Sequence, residues 1–491
     1  MKIEKVGSPT IRTLTKLRNS DTGKKAAGAV IASRRRSHFA KTAFFLCAAI
    51  VLFFGFYDNS WHVVDQTGFS DFQAETEALI IGRIVKSRED GIFSSAGLPG
   101  EGSPSAVPFV LWTNSKITTF QYEAFNEGSA FKSYTVYKSE ICAQGILFSV
   151  LDSVLRASPA KKLRFFQAIV SLAAAVLIAA IMLWFYSEFG LFAAIIVLGT
   201  SVSSPWLVLF GRTLWFELWA YYLPVAVVMH FLGSNRLREG TGNYLKFGAV
   251  VFVAVFIKCL FNGYEFITTA LVMMLVPLVY YGILDQPDLR VFLKHFAVAS
   301  IAALTAVLCS MVILCFQISA VDGNFMKGVD HIIYSFQKRS HGDPARFQER
   351  EYIESLKADT CDVVTSYVHS TFSDFSTRSN GVYKFLNRFV DRVSYSFLIV
   401  LFSVMSLLLL IRRGAGKTRQ RDLALVGALW FSSLAPLSWF IIFKAHAYVH
   451  GFLDPLVWQM PFTLFGFALC GVVIKRLASD AMVPAKQRLR N

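Results

Sequence analysis

The feature that most constrains this chain is a succession of apolar runs, each long enough to cross a bilayer core of about 30 Å, which takes about 20 helical residues. Ten can be read, at roughly 40–57, 163–186, 190–210, 214–233, 246–262, 264–284, 295–317, 393–411, 424–443 and 456–474. The tightest connections, Gly211-Arg212-Thr213 and Asn262-Gly263, must serve as whole turns. The expected fold class is therefore all-α and integral to a membrane.

Charge gives the orientation. The chain carries +16 with only 17% charged residues, and in a soluble protein that excess would suggest nucleic acid. Here it is gathered beside the apolar runs. The basic tail 1–41 carries +9, the connection 412–422 carries +4 and the tail 475–491 carries +4, which accounts for the whole net charge. Positive residues stay on the cytoplasmic side, so both termini are expected inside, the N-terminal tail as a disordered segment facing anionic lipid. Membrane lipid is then the expected partner of this charge, and nucleic acid is not. The first run follows about forty residues with no small-residue cleavage pattern after it, and reads as an anchor, not a signal peptide. The expected organisation is a polytopic unit over 42–474 in the cell (inner) membrane, with external loops at 58–160, 318–392 and 444–455.

The two long loops are neither repetitive nor low in complexity. In the first, Leu147, Val150, Leu151, Val154 and Leu155 share one helix face, with Ser149, Asp152, Ser153 and Arg156 on the other. Val382, Phe385, Phe389 and Val393 make a similar stripe in the second. Both are expected to lie along the membrane surface. Cys142 and Cys361 fall in these loops, where a disulfide is permitted. Zinc-type Cys/His spacing, a P-loop lysine motif, a Gly-x-Gly-x-x-Gly and a Gly-x-Ser-x-Gly are all missing, so no cytoplasmic nucleotide site is expected.

Chemistry is expected on the external side, where the first loop carries −5. Asp71, Glu75 and Glu77 precede the apolar turn Ala78–Ile81, with Arg83 just beyond. A carboxylate held against apolar surface has its ionised form disfavoured, which tunes it toward general-base work. Equally, these acids could complement the dipole of a helix over about 71–87, or ligate a divalent ion. In Lys444-Ala-His446-Ala-Tyr-Val-His450 two histidines share a helix face without a metalloprotease glutamate, and the three cationic side chains suit a phosphate or lipid headgroups. Arg212 and Glu217 sit at the edge of apolar runs and must be paired or used. Tyr137, Glu140 and Gln144 have the aromatic and hydrogen-bonding composition of a sugar site, or equally of a polar loop packed on a membrane protein.

This layout resembles the GT-C superfamily of integral membrane glycosyltransferases, in the acidic segment Asp71 to Arg83 soon after the first run and in the late turn Lys444 to His450. The acids are spread as Asp71, Glu75 and Glu77, not adjacent as the family has them. The resemblance implies an inverting transfer of a sugar from a polyprenyl-phosphate donor to a glycan or lipid-linked acceptor. A carboxylate, Glu77 before Glu75 and Asp71, would be the base. His446, His450, Lys444 and Arg212 would bind the donor phosphate, and Arg83, Tyr137, Glu140, Gln144 and Trp215 the substrate. No cofactor is implied with certainty, and a divalent metal is compatible. A polymerase or ligase of lipid-linked polysaccharide is the main alternative. A transporter or flippase is disfavoured, because the halves show no repeat.

Overall fold

A computed structural model describes residues 21–106, 115–374, 391–412, 416–451 and 453–482. In chain order its helices and strands are α1 (Asp21–Asp58), α2 (Gln66–Asp90), β1 (Gly100–Ser103), α3 (Ser115–Glu127), β2 (Ser133–Val136), α4 (Ala143–Val154), α5 (Pro159–Phe189), α6 (Leu191–Val202), α7 (Pro205–Phe210), α8 (Leu218–Asn235), α9 (Thr241–Asn262) and α10 (Ile267–Met273). They continue with α11 (Val276–Asp285), α12 (Leu289–Asp322), α13 (Phe325–Arg339), α14 (Arg350–Lys357), α15 (Thr360–His369), β3 (Thr371–Asp374), β4 (Arg392–Ser394), α16 (Tyr395–Ile411), α17 (Lys417–Ser432), α18 (Leu434–Ile442), α19 (Lys444–Val449) and α20 (Phe462–Met482).

Seven stretches are helical, long and apolar enough to cross a membrane: His38–Asp58 in α1, α5, α9, Ile267–Asp285 through α10 and α11, α12, Thr418–Ile442 through α17 and α18, and Phe462–Ala481 in α20. The other three apolar runs take shorter or interrupted forms. The run at 190–210 breaks between α6 and α7 because Pro205 starts a new helix, capped by the Ser204 side chain on the Leu207 N–H. The run at 214–233 becomes α8, with Pro224 inside it, and that at 393–411 becomes the 17-residue α16. Exposed apolar stripes run along the outside of the bundle, as with Leu304, Leu308, Val312 and Phe316 on α12 and Val400, Val404, Leu407 and Ile411 on α16. A surface of that kind suits lipid, not water.

The part of the basic tail from residue 21 onward is helical and continuous with the first apolar run, not disordered. Its Ala, Lys and Arg residues are strong helix formers. Residues 1–20 and 483–491 of the tails lie outside the described residues, as does most of the 382–393 stripe.

The helix ends at the basic side are tied by ion pairs: Arg236 with Asp285 at 3.8 Å, Arg412 with Asp480 at 2.7 Å and Arg476 with Asp422 at 2.5 Å. The opposite ends receive the first long loop. There α2 starts at its cap Asp65, whose side chain accepts from Thr67 and Gly68 N–H, so Asp71 and Glu75 do not cap it. Both of those acids are exposed. The antiparallel pair of β1 and β2, in register Gly100 with Val136, lies against α2. Gly82 makes this approach possible, since a Cβ there would fall 2.3 Å from the Gly100 carbonyl. Arg83 is fully buried and donates to Ser87, Ser94 and the carbonyls of Gly91, Ile92 and Ser94. Its donors are spent on oxygens of the helix end and the loop after it. Helix α4 turns Leu147, Val150 and Val154 outward, while Ser149 and Asp152 are buried, Asp152 against Arg88 and Lys162. The apolar face read from the sequence is the exposed one. Cys142 is buried and Cys361 exposed, and both thiols are free.

Candidate functional site

Two buried polar groups occupy the end of the bundle away from the ion-paired helix ends, joined by the segment Gly211–Glu217. The first surrounds Glu77. Within α2 the apolar turn Ala78–Ile81 drives that part of the helix inward and carries Glu77 with it, leaving 1% of the residue exposed. Gln167 of α5 donates to its two oxygens at 3.2 and 2.9 Å, and the Tyr122 hydroxyl of α3 lies 3.3 Å away. Burial pushes the Glu77 carboxyl up to about 7, against the pull of Arg212 and of these hydrogen bonds. Arg212 lies over the Phe69 ring at 4.7 Å and donates to the Tyr57 carbonyl at 3.2 Å. It is not paired with Glu217, which accepts from the Trp219 indole at 2.5 Å. Thr213 donates to Thr76 at 2.8 Å, tying the segment to α2 beside Glu77.

The second group gathers around Glu140. Asn262 ends α9 and closes the turn by bridging the backbone of Glu217, accepting from its N–H at 3.0 Å and donating to its carbonyl at 2.8 Å. Gly263 follows at φ +51°, and a Cβ there would come within 2.9 Å of Glu140 Cβ, so only glycine lets the two segments meet. Lys258 is fully buried and donates to the carbonyls of Gly263 and Glu265 at 2.9 and 2.6 Å, fixing the turn that carries Glu265. Glu140 accepts from the Trp215 indole, while its Oε2 has no hydrogen-bond partner among the described residues. Burial pushes its carboxyl up to about 8, with Trp215, Arg339 and Lys258 pulling down and Glu265 pushing up. Arg339, the last residue of α13, donates to the Tyr137 hydroxyl at 3.0 Å.

The late turn completes this group. His446 Nε2 lies 3.4 Å from Glu265 Oε1, and Nδ1 lies 3.7 Å from Asp454 Oδ2. Asp454 is fully buried and accepts from the Trp439 indole at 2.7 Å. The His446 ring stands edge-on to Trp439 and 4.3 Å from the His450 ring, centroid to centroid. Burial pushes His446 down to about 4 and His450 down to about 3, so both are neutral imidazoles at pH 7. They offer hydrogen bonds but no charge to an anion.

Several sequence expectations thus meet at one place and others do not. Tyr137, Glu140, Trp215, His446 and His450 converge. Gln144 stands just behind, donating to the Trp215 carbonyl at 3.3 Å. Lys444 is committed elsewhere, donating to the carbonyls of Leu356 and Ala358 at 3.0 and 2.5 Å. Its charge holds the end of α14 and does not point to a phosphate role. Glu265, Asp454, Arg339, Tyr122 and Gln167 are additions. The first two had a visible signal, as acids in short turns between apolar runs, where an unpaired charge is expensive. Arg339 had none, because only the course of α13 brings it back to Tyr137.

An open groove of about 440 Å³, lined by Phe336, His341, Arg346 and Ile441 among others, borders none of these carboxylates. No family model, curated relative or solved structure matches the chain.

Proposed function

We propose that this chain is a membrane-embedded glycosyltransferase that takes its sugar from a polyprenyl-phosphate donor at the end of the bundle holding Glu140. The observation that carries the reading is the set of buried Glu140 and Asp454 with part-buried Glu265 and Arg339, gathered where helices end. Seven long apolar helices together with the shorter passes α6 with α7, α8 and α16 give ten crossings, with the basic ends cytoplasmic and the site on the external face.

In the reaction a carboxylate accepts the proton of the acceptor hydroxyl as that oxygen bonds to the anomeric carbon. The bond from that carbon to the phosphate oxygen breaks, its electron pair leaving on the polyprenyl phosphate, and a single displacement inverts the centre. Glu140 suits the base better than Glu77, because its Oε2 has no partner among the described residues while both oxygens of Glu77 are held. A carboxyl raised to about 8 is also matched to proton transfer near neutral pH. Arg339 is the guanidinium available to meet the developing phosphate charge, with Arg212 at the Glu77 end of the Gly211–Glu217 segment.

The test is release of free polyprenyl phosphate by the purified protein in nanodiscs, using a panel of synthetic polyprenyl-phosphate hexoses and pentoses with membrane extract as acceptor source. Glu140→Gln should lower turnover by about 10² or more, with Glu77→Gln retaining most of it. Full turnover by Glu140→Gln would remove the base assignment, and no release from any donor would remove the transferase reading. A ligase that needs no carboxylate predicts that Glu140→Gln is silent and Arg339→Gln is not.

A further inference from the structure

We propose that Glu265, His446 and Asp454 form a binding site for one divalent transition-metal cation, of the Mn²⁺ or Zn²⁺ kind. One ligand atom from each residue can be chosen such that all three lie within 4.8 Å of one another. The Glu265 Oε1 to His446 Nε2 separation of 3.4 Å is about the edge of a tetrahedron whose metal–ligand bonds are about 2.1 Å. An imidazole nitrogen with two carboxylates favours Mn²⁺ or Zn²⁺ over Ca²⁺ or Mg²⁺, which take oxygen ligands.

Independent support comes from an atom left over in the same place. Asp454 is 0% exposed and its Oδ1 has no hydrogen-bond partner among the described residues. A buried polar atom of this kind costs free energy unless something meets it, and a cation shared with His446 Nε2 and Glu265 would do so. The surrounding residues are also arranged to hold the ligands still. Trp439 fixes Asp454 from behind, Lys258 fixes the turn bearing Glu265, and Lys444 anchors the start of α19.

The ligands come from two connections far apart in sequence, the turn between α9 and α10 and the turn after α18, so a bound ion would clamp those two parts of the bundle together. This deepens the transferase reading and rests on it only for purpose: beside Glu140 and Arg339, a dication would add charge for a donor phosphate. The site itself stands without that role.

The experiment uses the full-length protein in detergent, stripped by chelation and titrated with MnCl₂ alone, reading free Mn²⁺ by electron paramagnetic resonance, with a parallel ZnCl₂ equilibrium dialysis. Wild-type protein should take up one ion per chain. Glu265→Gln and Asp454→Asn should each weaken binding by about 10-fold or more, while Glu77→Gln should bind as wild type. Gel filtration and a melting curve for each variant separate lost binding from lost fold, and Glu265, at 14% side-chain exposure, is the milder substitution. Absence of stoichiometric uptake of either ion, or uptake unchanged in folded Glu265→Gln, would overturn the site. Metal uptake without sugar transfer would sink only the transferase reading, and transfer without metal uptake only this inference.

Discussion

Replacing Glu77 by Gln should change how the stability of the protein depends on pH, by an amount the burial of this one carboxyl sets. Burial holds the native carboxyl near 7, against 4.5 for a free glutamate, so the folded state keeps its proton where the unfolded state has released it. For an acid raised in this way the favourable contribution is present below the unfolded value and is lost as pH rises through the folded one. Each unit is about 1.4 kcal/mol, and the interval from 4.5 to 7 therefore corresponds to roughly 3 kcal/mol lost between pH 4.5 and about 8. Gln has the same shape, can still accept from Tyr122 and Gln167, and cannot ionise. The assay is denaturant unfolding of wild type and Glu77→Gln in one detergent at pH 5 and pH 8. Taking the difference of differences cancels every other titrating group. The variant should gain about 2.5 kcal/mol on wild type between the two pH values. If the gap between the two proteins is the same at both, Glu77 is not a buried proton holder and the account of α2 is wrong.

Other expectations follow from single contacts. Arg83→Met should lower stability by about 3–5 kcal/mol, because the substitution leaves several inward-pointing oxygens without a donor, measured by unfolding in detergent. Gly82→Ala should detach the strand pair of β1 and β2 from α2, seen as faster amide exchange at Gly100–Ser103, and unchanged exchange would refute the close approach. Asp71→Asn and Glu75→Gln, both on exposed positions, should leave unfolding within about 0.5 kcal/mol and leave polyprenyl phosphate release unaltered. A reporter fused near residue 350 should report the external side, and a cytoplasmic signal would invert the proposed topology.

The chain's membrane character and its helical class were determined by the sequence alone, because twenty apolar residues in a row have few other ways to satisfy their backbone. The inward placement of Glu77 was only one of the readings open in the sequence, and the burial of the apolar turn that follows it decided between them. What only the tertiary structure decided was which polar residues meet. Asp71 and Glu75 share the acidic segment with Glu77 yet end exposed, since three acids on one helix cannot all face the same wall. Lys444 and His446 are two residues apart and part company, one tied to carbonyls of α14 and α15's approach, the other set between Glu265 and Asp454. Arg339 reaches Tyr137 across about two hundred residues of chain. Periodicity records which face of a helix is apolar, but contacts between distant turns depend on how the helices pack, and that information is spread over every interface of the bundle.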